Sequence, residues 1–72
     1  MTETKLLKEK IEQSGYKIKF IANKVGLTYQ GLLNKINNHS EFRASEIQKL
    51  SELLELTRDE QISIFFTTIV DK

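Results

Sequence analysis

Seventy-two residues make one small domain, with no room for a second core. An apolar share of 39% beside 29% charged residues is that of a folded chain, and zero Cys with a single His, His39, excludes disulfides, thiolate zinc sites and His-only metal cages. The net charge of +1 divides unevenly: residues 1–40 hold seven Lys against three Glu, and residues 41–72 hold four Lys and Arg against seven Asp and Glu.

In chain order the pattern predicts five short helices and an all-α fold, since no stretch alternates strictly and Pro is absent. Thr4 is placed to cap a first helix reaching Ser14, with Leu7 and Ile11 inward and Gly15 as a left-handed stop. Ile18, Ile21, Ala22 and Val25 recur at i, i+3, i+4 and i+7, the inner stripe of a second helix that Gly26 ends. Thr28 caps a third helix carrying Leu32 and Ile36. Asn37 to Ser40 form a polar loop, and Phe42 plugs the core. A fourth helix starts at the box-like Ser45-Glu46-Ile47-Gln48 or a turn earlier at Arg43, with Ile47, Leu50 and Leu54 inward. Thr57-Arg58-Asp59-Glu60 is the clearest capping box and opens a fifth helix over about 57–70. Its inner stripe is read as Ile62, Phe65, Phe66 and Ile69. The strand propensity of residues 64–70 leaves a C-terminal strand as the alternative. Tyr16 and Phe20 are expected in the core rather than as stacking platforms.

Residues 18–36 carry the functional signal. Two helices crossing steeply need a small residue where they touch, which Ala22 supplies, and a left-handed turn residue four positions on, which Gly26 supplies. Leu27 re-enters the core and Leu32 packs back beside Ile21 and Val25. This is a helix-turn-helix.

At about 100° per residue, Leu32 and Ile36 define the buried side of the third helix, leaving Gln30, Asn34 and Asn37 opposite and Tyr29 and Leu33 along one edge. Amides on such a face can pair bidentately with adenine. No acidic residue occurs between Gln13 and Ser40, while Lys17, Lys19, Lys24 and Lys35 all fall there. With Arg43, these are the candidate phosphate contacts, joined by the Thr28 hydroxyl and by Asn37 and Asn38. Tyr29 either meets sugar and phosphate or covers the core rim. His39, without Cys or a second His, carries no catalytic constellation, so no enzyme activity is expected.

Ile21-Ala22, Val25-Gly26-Leu27-Thr28, Leu32 and Asn34, with the helix order around them, resemble the Cro/repressor-type (XRE-like) helix-turn-helix family of phages and prophages. The likeness covers about residues 5–66. It implies a lambda-repressor-like domain of five helices, base contacts at Tyr29, Gln30 and Asn34, and a transcriptional regulator bound to a double-stranded DNA operator. Two departures stand out: Ile18 replaces a frequent Gln that buttresses the backbone contact, and Asn37-Asn38-His39 replaces a frequent loop Gly.

The fifth helix is crowded with apolar residues, and its stripe leaves Ile64 and Val70 near the surface. With Phe65 they are the expected homodimer interface, where exposed apolar patches usually meet a partner. No apolar run exceeds three residues and the start has no signal-like apolar segment, so a cytoplasmic protein without membrane, cofactor, metal or small-molecule substrate is expected. The rival function is a small antirepressor-type module that uses the same fold against a protein partner.

Overall fold

The computed structural model describes residues 2–66. Within them the chain folds as five α-helices with no strand: α1 Thr4–Ser14, α2 Ile18–Val25, α3 Tyr29–Ile36, α4 Ala44–Leu53 and α5 Arg58–Phe65. This is an all-α helix-turn-helix domain. None of these helices is long and apolar enough to cross a membrane.

Three of the helices stop by the same local chemistry. Leu27 N–H donates to Ala22 O at 2.8 Å beneath a Gly26-to-Asn23 bond. His39 N–H donates to Asn34 O at 2.7 Å beneath an Asn38-to-Lys35 bond. Leu56 N–H donates to Ser51 O at 2.9 Å beneath a Glu55-to-Glu52 bond. Each pair is a Schellman motif, which needs one residue in the left-handed region. Gly26 (φ 83°), Asn38 (φ 66°) and Glu55 (φ 56°) occupy it. Glycine does so without steric cost, asparagine tolerates it, and glutamate is strained there.

Helix starts follow the sequence in two cases. Thr28 Oγ1 accepts from Gly31 N–H at 2.9 Å. Thr57 and Glu60 form the reciprocal box, with N–H to side-chain oxygen distances of 2.9 and 3.1 Å. The α1 start differs from expectation, and the α4 start takes the earlier of the two positions read from the sequence. The N-cap of α1 is Glu3, because the Thr4 hydroxyl is inside the helix and donates instead to Ile36 O at 2.8 Å, a free carbonyl at the end of α3. The N-cap of α4 is Arg43, not Ser45: Glu46 Oε1 accepts Arg43 N–H at 2.9 Å. Arginine has no acceptor, so only half of a capping box forms.

The core gathers Leu7 and Ile11 of α1, Ile21, Ala22 and Val25 of α2, Leu32 and Ile36 of α3, Leu50 of α4, and Ile64 and Phe65 of α5. Phe42 closes it at one edge, its ring T-shaped to Phe65 with centroids 5.3 Å apart. The expected α5 stripe needs correction. Ile64 is 1% exposed and Ile62 is 38% exposed, the reverse of the prediction. Apolar side chains at 62, 64, 65 and 66 cover most of the helix circumference, so docking against α1 decides which edge turns inward. Ile64 and Phe65 are therefore core residues and not a free dimer surface; Ile69 and Val70 lie outside the described residues. Tyr16 and Phe20, expected in the core, are instead 41% and 42% exposed.

Candidate nucleic-acid interface

The outward face of α3 is held by what lies on either side of it. At its start, Gly26 turns the chain and Thr28 satisfies the amide of Gly31. Gly31 has a reason to be glycine: a Cβ there would lie 2.9 Å from Thr28 Oγ1 and push against the cap. Along its inner side Leu32 and Ile36 are fully buried, and α2 packs on both α3 and α4, with the small Ala22 side chain letting the helices approach.

Opposite the core, Gln30 and Asn34 stand one turn apart, and Gln30 Nε2 donates to Asn34 Oδ1 at 3.1 Å. Each amide keeps further donor and acceptor capacity, since an amide group offers two N–H and two lone pairs. Gln30 is exposed, Asn34 is partly so, and Tyr29 projects from the first turn at 52% exposure. The three residues singled out for base contact thus share one end of one accessible face. Asn37 and His39 are exposed just beyond it.

The basic residues divide. Lys17, Lys19, Lys24 and Arg43 are exposed. Lys24 Nζ lies 5.5 Å from the centroid of the Phe20 ring. Lys35 does not belong with them. Its Nζ is 2.6 Å from Glu46 Oε1, and the two side chains retain only 13% and 12% of their exposure. The wheel held a signal for this: Lys35 is next to buried Ile36, and Glu46 shares the face of Leu50. Burial pushes the Glu46 carboxyl up, but the Arg43 N–H, the Lys35 hydrogen bond and the charges of both residues outweigh it and hold it below the usual carboxylate range.

Asn38 is likewise committed elsewhere. Its side chain accepts from Thr2 N–H at 2.9 Å and donates to Thr2 O at 2.8 Å and to Thr4 Oγ1 at 3.2 Å. It straps the chain's start to the end of α3, a role that spacing in the sequence gave no means to see. The other ion pair among the described residues, Lys10 with Glu60 at 2.5 Å, joins α1 to α5.

No protein-family model matches the chain, and neither a curated protein nor a solved structure matches it significantly.

Proposed function

We propose that the protein is a sequence-specific double-stranded DNA-binding regulator, a Cro-like repressor of the phage and prophage helix-turn-helix type, acting in the cytoplasm as a homodimer. The observation that carries the reading is the Gln30–Asn34 amide pair, exposed on a short helix whose start is set by a left-handed glycine turn. A helix presented this way fits a major groove, and amides at its first turns can read adenine edges. Thr28 and the free amides at the start of α3, with Lys24, Arg43 and Asn37, supply phosphate contacts. Repression of this kind needs no chemistry, because an occupied operator excludes polymerase.

Selection of bound sites from a random duplex library, followed by anisotropy titrations over a range of salt, tests the proposal. Affinity should fall with a log–log slope near −0.9 per phosphate neutralised. Gln30→Ala or Asn34→Ala should cost about 1–3 kcal/mol on the selected site and leave unrelated duplexes nearly unchanged. A flat salt response would favour the rival reading, a protein-interaction module, for which the exposed Tyr16–Phe20 pair is the specific support.

A further inference from the structure

Three of the five large apolar side chains exposed among the described residues, Leu6, Tyr16 and Phe20, fall in two places of opposite charge. The first is an open notch at the start of α2. There the Tyr16 and Phe20 rings lean together, centroids 5.0 Å apart at 40°, with Lys17 and Lys19 on its walls and no carboxylate. The second is a groove of about 250 Å³ between α1 and α5, lined by Leu6 and by Glu9 and Asp59, neither of which has an ion-pair partner among the described residues. Its other charges, Lys10 and Glu60, neutralise each other. A depression of about 270 Å³ that also holds Glu55 joins the two places, sharing Lys10 and Gln13 with the groove and Tyr16 with the notch.

We propose that this continuous face is where two copies of the chain meet, the Tyr16–Phe20 notch of each copy against the Leu6 groove of the other. Two unpaired lysines answer two unpaired carboxylates, and each half offers apolar surface that water covers poorly. Because one surface carries both halves, a two-fold axis near Gln13 satisfies both contacts at once and closes the assembly at a dimer. No residue of α3 lines the notch, the groove or the depression between them, so Gln30 and Asn34 stay uncovered. The choice of a second copy as occupant rests on the proposed dimeric regulator, whose expected interface at Ile64 and Phe65 is closed by burial in the core. Lys17 and Lys19 thereby leave the set of phosphate contacts.

Sedimentation equilibrium of the full chain without DNA, from micromolar to millimolar concentration, tests the pairing. Lys19→Glu and Glu9→Lys should each weaken dimerisation by at least about tenfold, since two-fold symmetry places each repulsion in the contact twice. An equimolar mixture of the two variants should regain wild-type association, because every charge contact between unlike partners is again attractive. Phe20→Ser, at an exposed position, should weaken association with unchanged far-UV circular dichroism and should not be rescued by mixing. A wild-type chain that stays monomeric throughout overturns the proposal, as does a mixture no tighter than its components or growth past the dimer. Association is read without DNA, so a monomer that still selects its duplex counts against this interface alone, and a dimer indifferent to duplex sequence counts against the DNA reading alone.

Discussion

Replacing Lys35 with Met separates a structural lysine from a phosphate-binding one. Loss of one partner from a buried ion pair costs about 3–5 kcal/mol, because the survivor remains charged and unpaired. Here both ends keep a little solvent contact and Glu46 retains the Arg43 N–H, so ~2–3 kcal/mol is expected. For a domain of this size each kcal/mol moves the melting midpoint by about 4–8 °C, so the variant should melt roughly 8–24 °C lower at neutral pH. Adding Glu46→Gln removes the orphaned charge while still accepting from Arg43, and should bring stability back to within about 1 kcal/mol of wild type. The pH dependence has a definite sign. Glu46 has a lower pKa folded than unfolded, so its contribution is full above the unfolded value and disappears as pH falls through the folded one. The gap between wild type and Lys35→Met should therefore narrow as the pH falls below the ordinary carboxylate value of 4.5. Circular dichroism melts at several pH values, with duplex titrations in parallel, give the answer. A Lys35→Met chain that melts like wild type yet loses affinity for all duplexes would show that Lys35 holds phosphate after all.

Gly26→Val should cost about 1–3 kcal/mol from backbone strain at φ 83°, read by chemical denaturation; Gly26→Asn should cost much less. Glu55→Gly relieves a strained left-handed glutamate and should raise stability by ~0.5–1 kcal/mol at the α4–α5 turn, and an unchanged or lowered melting midpoint would refute this. Ile64→Asp buries a carboxylate at a fully enclosed position and should unfold the domain outright, at a cost above about 4 kcal/mol; a folded variant would mean that this edge of α5 is free.

What the sequence makes legible here is what neighbours in the chain decide. Gly15, Gly26 and the Thr57–Glu60 box announce helix ends because the chemistry of a cap spans only a few residues. The α2 stripe of Ile21, Ala22 and Val25 is legible because polar residues flank it on both sides. On α5 the apolar residues spread over more than half of the helix circumference, so periodicity could not choose between Ile62 and Ile64 for the core. The candidate reading face at Gln30 and Asn34 came from the helix wheel alone. The partners of Lys35 and Asn38 did not, since they are 11 and 36 residues away, although Lys35 borders the buried side of α3. Tyr16 and Phe20 misled for a different reason: aromatic residues are core residues by habit, and only the packing of α2 shows these two turned outward.

The backbone bond from Glu3 N–H to Ile64 O, 2.6 Å long, fastens two positions 61 residues apart and has a kinetic meaning. Closing so wide a loop is entropically costly and is repaid only once α1 and α5 are both docked, so this contact is expected to form late in folding and to open early in unfolding. The α2–α3–α4 segment packs through shorter separations and can assemble before it. The Glu3 amide is thus a reporter of partial opening: in native-state hydrogen exchange it should give up its proton well before Leu27 and Leu56, whose bonds lie within the turns that the helices themselves enforce.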